Sequence, residues 1–213
     1  MTDLKAWQDI FDSKARELYP ALDPAHDFLH IRRVVATALK LAREERADMR
    51  IVLPAAYFHD FVAIPKDDPR RTQASTLSGE AALRYLRDAG YPAQHLEAIR
   101  HAIEAHSFSA GISSETMEAK VVQDADRLDS LGAIGVARCF TTGAFMGRPF
   151  YDEPDPFAER RAPDDKSYTV DHFFVKLFKI AETLKTAAAR KEGARRVAFM
   201  KGYLQQLSSE VAG

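Results

Sequence analysis

The stretch HDFLHIRRVVATALKLA, residues 26–42, decides the fold. Ile31, Val34, Val35, Ala38, Leu39 and Ala42 recur at spacings of three and four, which set them along one stripe of an α-helix. Pro24 stands near the start of this helix, where a missing backbone donor costs little. The same period continues on both sides. Trp7, Ile10, Phe11 and Leu18 share the face of an earlier helix closed by Pro20. A third helix is predicted from about Arg50 to Phe61, with Pro54 in its first turn, and others over Ser75–Ala89, Pro92–Ala105 and Ser114–Leu131. Gly132–Phe140 reads as a continuation of the last of these. Asp171–Thr186 and Ala187–Leu207 read as a terminal pair of helices. No stretch alternates as a strand does, and Tyr168–Asp171 is too short to count. The expectation is an all-α fold in a single compact domain over 1–213.

Two connections stand out. Ile64–Thr72 is polar and punctuated by proline. Gly147–Asp165 holds Pro149, Pro154, Pro156 and Pro163 among many charges, and reads as a long surface loop or lid, since loops of this length are commonly functional.

Composition narrows the function. The 213 residues are 46% hydrophobic, enough to bury a core. Thirty basic and 31 acidic side chains give a net charge of −1, which excludes a general polyanion binder. A small phosphorylated ligand held by local charges is still allowed. The single cysteine, Cys139, cannot form an internal disulfide, and the first residues open no apolar leader, so a cytoplasmic setting without membrane attachment is expected.

The seven histidines are unevenly placed. His26 and His30 lie four apart at the start of the second helix, on one face. His59-Asp60 ends the apolar run Ala55-Ala56-Tyr57-Phe58, where a buried charge needs a partner or a metal. His101 and His106 close the fifth helix. Asp126 interrupts an apolar pattern of Val121, Val122, Ala125 and Leu128, so it turns partly inward; Asp124 and Asp129 read as solvent-facing, capping or salt-bridging. His95 and His172 read as ordinary. The ordered set His30, His59-Asp60, Asp126, each beside an apolar helical face, is what points to a metal. Mixed imidazole and carboxylate donors suit Mn, Fe, Co, Ni or Zn.

This H…HD…D order resembles the HD-domain metal phosphohydrolase superfamily. The blocks HDFLHIRRVVATALKLA (26–42), AAYFHDFVAIPKDDPRRTQAS (55–75), IRHAIEAHSF (99–108), QDADRLDSLGAIGVARCF (123–140) and DHFFVKLFKI (171–180) are similar to successive blocks of a small bacterial subgroup, some of whose members look like nucleoside triphosphate pyrophosphohydrolases. The resemblance implies a helical domain with one metal centre among its central helices. It implies His30, His59, Asp60 and Asp126 as ligands of one divalent ion (Mn favoured, with Mg, Co, Ni, Fe and Zn as alternatives). Dinuclear relatives carry two more histidines between the HD pair and the last aspartate. His101 and His106 lie in that interval, but about 140° apart on a straight helix, so a mononuclear site is favoured.

The implied reaction is hydrolysis of a nucleotide, foremost a (deoxy)nucleoside triphosphate to monophosphate and pyrophosphate. A phosphomonoesterase, a cyclic-nucleotide phosphodiesterase and a non-catalytic ligand-sensing module are the alternatives. Asp60, Asp27 and His106 are the candidates for moving protons or holding water. Lys66, Arg33, Arg70, Arg71, Arg127, His26 and His101 are the candidates for binding substrate. Tyr57, Phe61, Phe108, Phe145, Phe150 and Tyr151 are flat enough to stack on a base, though most are expected in the core. Only Phe150–Phe157 reads as able to close over a nucleotide. Nucleic acid is not expected as a substrate, for want of a basic stripe interleaved with aromatics. Oligomeric state is left open, a homodimer included.

Overall fold

The computed structural model describes residues 4–19, 27–64 and 68–211. Among these the secondary structure is helical, with no strand. The α-helices are α1 (Leu4–Leu18), α2 (Phe28–Glu45), α3 (Met49–Phe58), α4 (Ala74–Asp88), α5 (Leu96–Glu104), α6 (Met117–Leu128), α7 (Gly132–Phe145), α8 (Phe178–Glu182) and α9 (Ala187–Val211). A 3-10 turn over Pro69–Gln73 leads into α4, and a π-turn over Phe173–Leu177 leads into α8. Pro20, Pro24, His26 and Lys66 lie outside the described residues. No helix among the described residues is long and apolar enough to cross a membrane.

The chain forms two compact units. The first is residues 1–126 with 185–188, and the second is 127–184 with 189–213. In the first unit α3 is the central helix. Seven of its residues in succession, Val52 to Phe58, are buried, so it is apolar all round rather than striped. It packs against α1, α2 and α5, and α4 covers α5. Phe11, Ile31, Leu53, Phe58, Leu86, Ile99 and Ile103 fill the space between them.

Pro54 is the sixth residue of α3, not part of its first turn. Proline has no N–H to give the carbonyl four residues back, here that of Arg50. The Tyr91 hydroxyl donates to that carbonyl at 2.6 Å and replaces the missing bond. Tyr91→Phe should therefore lower stability by about 1 kcal/mol, because one polar partner is removed. A urea midpoint equal to that of the wild type would show the carbonyl is satisfied by other means.

Asp48 caps α3 by accepting the Arg50 N–H at 2.8 Å, and the Asp48 N–H donates to Glu118 at 2.9 Å. Asp124 does not face solvent. It is fully buried on α6 and accepts the Lys185 and Thr186 N–H groups and the Thr186 hydroxyl at 2.7–3.1 Å. These donors lie just ahead of α9, whose first N–H groups have no helical partner.

In the second unit α7 is a separate helix, not a continuation of α6. Helix α6 ends at Leu128, and Gly132 takes a left-handed φ of 73°. A side chain at 132 would also press on the Arg196 stem at 3.1 Å. Arg196 is held there by donating to the Leu128 carbonyl at 2.6 Å and to Glu192 at 2.8 Å. Asp129 is buried as well, paired with Arg138 at 2.8 Å. The Cys139 thiol is buried, and burial pushes it up to about 12.

The connection 146–170 has no helix but many ties. Asp155 accepts the N–H groups of Glu159, Arg160 and Arg161 at 2.9–3.1 Å. Arg161 grips the fully buried Asp171 through two guanidinium nitrogens, at 2.5 and 2.9 Å. Thr169 and Val170 donate their N–H groups to the Pro149 and Phe150 carbonyls, and the Phe150 ring rests edge-on against Phe140.

Candidate metal centre

Asp27 caps α2, accepting the His30 N–H at 2.9 Å, and so fixes the first turn of the helix that carries His30. His59 follows the last residue of α3, at its buried end. Its Nδ1 lies 3.0 Å from the Ala56 carbonyl. A carbonyl only accepts, so Nδ1 carries the proton and Nε2 presents its lone pair. His106, just beyond α5, is held the same way: its Nδ1 donates to the Ile103 carbonyl at 2.6 Å.

These rings and two carboxylates converge. His30 Nε2 is 3.6 Å from Asp126 Oδ1, and His59 Nε2 is 3.9 Å from the same oxygen. His59 Nε2 is also 3.5 Å from Asp60 Oδ2, and His106 Nε2 is 3.5 Å from Asp60 Oδ1. His30 and His59 are buried, while Asp60 and Asp126 are partly open. One donor atom from each of His30, His59 and Asp60 falls within a mutual 4.8 Å.

The set fits a divalent cation on two counts. The N···O separations are too long for hydrogen bonds. They match two ligands of one ion at about 2.1 Å each, which stand about 3 to 4.2 Å apart. His59 Nε2 is buried with no hydrogen-bond partner among the described residues, a costly arrangement unless the lone pair is used. Charge runs the same way. Burial lowers the His59 imidazole and outweighs its acidic neighbours, so the ring is neutral and ready to ligate. Burial alone would raise Asp60, but His59 and His106 beside it hold the carboxyl well below the usual range. At Asp126 burial is likewise outweighed, by His59, His30 and His106. His106 is the converse: burial would lower it, and the Asp60 carboxylate raises it.

The HD domain family model matches residues 27–131. The Bacillus subtilis protein YpgQ is 31% identical over 193 residues, which are 88% of this chain and 85% of YpgQ. The chain belongs to the HD-domain phosphohydrolase superfamily. The crystal structure of YpgQ in complex with ADP superposes with a TM-score of 0.75 at 31% identity, covering 97% of this chain and 98% of that one. A Bacillus thuringiensis HD-superfamily hydrolase superposes with a TM-score of 0.73 at 27% identity over 97% of each chain. This HD-domain protein is accordingly a metal-dependent phosphohydrolase, an enzyme that hydrolyses phosphoric esters or anhydrides.

The HD fold thus brings His30, His59, Asp60, Asp126 and His106 together. Five-residue spacing does not put His101 and His106 on one helix, because α5 ends at Glu104. His101 Nε2 accepts the Glu115 N–H at 3.2 Å instead. Of the basic candidates, Arg33 is half-buried one turn past His30. Arg70 is paired with Asp68 at 2.8 Å, Arg71 donates to the Ile64 carbonyl at 2.6 Å, and Arg127 donates to the Thr183 carbonyl at 2.8 Å. His26 and Lys66 fall outside the described residues. Three groups escaped the sequence reading. The Ala56 and Ile103 carbonyls orient the two imidazoles, each from three residues upstream, a spacing that marks the C-terminal turn of a helix. The Ser78 hydroxyl accepts the Val62 N–H at 3.0 Å and anchors the chain just beyond Asp60.

Proposed function

We propose that the enzyme hydrolyses a nucleotide phosphoanhydride, foremost a (deoxy)nucleoside triphosphate to the monophosphate and pyrophosphate. The observation that carries this is the ADP complex of YpgQ, a relative alike over nearly the whole of both chains. His30, His59, Asp60 and Asp126 would hold the ion, with Mn favoured by the mixed imidazole and carboxylate donors. When bound, a divalent ion lowers the pKa of a water molecule and polarises a phosphoryl oxygen. Asp60 lies 3.5 Å from both His59 and His106, which supports a role for it in holding and orienting the attacking water, with His106 as the proton-bearing neighbour. With a net charge of −1 the whole-molecule field does not draw in a polyphosphate. Its charge would be met locally, by the ion and by basic side chains such as Arg33 and Lys66.

One observation favours a second reading. His106 against Asp60 offers an extra imidazole of the kind dinuclear phosphodiesterases of this superfamily use. The deciding experiment is metal analysis of the purified protein, followed by a phosphate and pyrophosphate release screen with Mn, Mg, Co and Ni. ATP and dATP should yield pyrophosphate and a monophosphate with one ion per chain. Two ions per chain with turnover of cyclic dinucleotides would establish the second reading, and orthophosphate from AMP would establish a monoesterase.

A further inference from the structure

We propose that Phe108 is the stacking platform for the base of the bound nucleotide, an inference that rests on the nucleotide reading above. The sequence reading placed most of the six stacking candidates in the core, and the structure does not: Tyr57 is buried, Phe61 packs against Phe58 and Tyr85, and Tyr151 is half-buried, but Phe145 and Phe150 of the second unit are exposed and so is Phe108 of the first. It is 83% exposed, and among the described residues of the first unit no large apolar side chain is more so.

Its position gives the exposure a meaning. His106, two residues earlier, has its Nε2 3.5 Å from Asp60. Two Cα steps of about 3.8 Å keep the Phe108 backbone within about 7.6 Å of the His106 backbone. Phe108 is therefore carried on the loop that leaves the metal centre directly after His106.

The backbone under it is held. The Gly111 N–H donates to the Phe108 carbonyl at 3.4 Å, with Gly111 in the left-handed region that closes the turn. The Ser107 and Ser109 hydroxyls bond each other at 3.0 Å. Beyond the turn, the Glu115 N–H is tied to His101 Nε2. His101 thereby ties the far end of this loop back to α5. A phenyl ring offers a π-face and no hydrogen-bonding edge, so it rewards stacking area and does not read the base. The site should accept any nucleotide and favour purines for their larger face.

The test is calorimetric titration of the Mn-loaded protein with ADP and with inorganic pyrophosphate, which lacks a base. In Phe108→Ala the ratio of ADP affinity to pyrophosphate affinity should fall about 5- to 150-fold, the range for losing one stacked base. Phe108→Trp should keep the ratio, and its indole fluorescence should be quenched by ADP but not by pyrophosphate. An unchanged ratio in Phe108→Ala, or an equal loss for both ligands, overturns the platform while leaving the nucleotide reading intact. A wild-type protein that binds ADP no better than pyrophosphate overturns both.

Discussion

Asp60→Ala should yield a protein that is still helical but purifies without its metal and loses phosphohydrolase turnover by more than about 100-fold. Losing only a partner that supports a ligand costs up to about that factor, and Asp60 does more. It faces His59 at 3.5 Å and His106 at 3.5 Å, and in the proposed centre it would supply one of the two carboxylates that offset the cation. The fold should survive, because the side chain is partly open and is not part of the packed core. Its removal also relieves repulsion between Asp60 and Asp126, both drawn toward the same imidazoles. Metal content per chain, circular dichroism and turnover are the three measurements. Wild-type turnover and metal content in Asp60→Ala would falsify the assignment of this centre.

Arg161→Ala should lower the stability of the second unit by about 3–5 kcal/mol, the loss seen when one partner of a buried ion pair is deleted. Asp171 is fully buried and would lose its guanidinium partner, keeping the Asp164 N–H. Arg161 also reaches Asp152 at 3.2 Å and lies over the Tyr168 ring, so the connection 146–170 would lose several ties at once. At about 2–4 °C per kcal/mol for a chain of this length, the melting transition should fall by about 6–20 °C. Arg161→Ala/Asp171→Ala should recover part of the loss, since no unpaired charge is left behind. A shift under about 2 °C in the single variant would show that the pair does not hold this segment.

Much of the fold and of the metal centre was legible before any contact was known. Ile31, Val34, Val35 and Ala38 mark α2 through a period that depends only on the turn of the helix, and the structure buries all four. The candidate ligands could be ordered because each interrupts an apolar face, where a polar group needs a reason to be. Pro54 shows where such reasoning stops. A mid-helix proline is unfavourable by local rules, and it is tolerated because Tyr91, 37 positions later in the chain, reaches back to Arg50. Gly132 is similar: its left-handed φ ends one helix run and starts another, whereas an apolar period through Ala133–Phe140 looks continuous.

By itself the sequence determined the helical class, because periodicity acts over a few neighbouring positions, and its blocks resemble the HD-domain superfamily closely enough to imply the chemistry. The tertiary structure decided which groups share the centre. It chose His106 over His101 by ending α5 between them, and it turned Asp124 inward to serve the turn before α9. It occupied Arg70 and Arg71 with partners of their own and left Phe108 standing in water. Each of these outcomes depends on atoms brought within a few ångströms by packing, a distance that spacing along the chain does not encode.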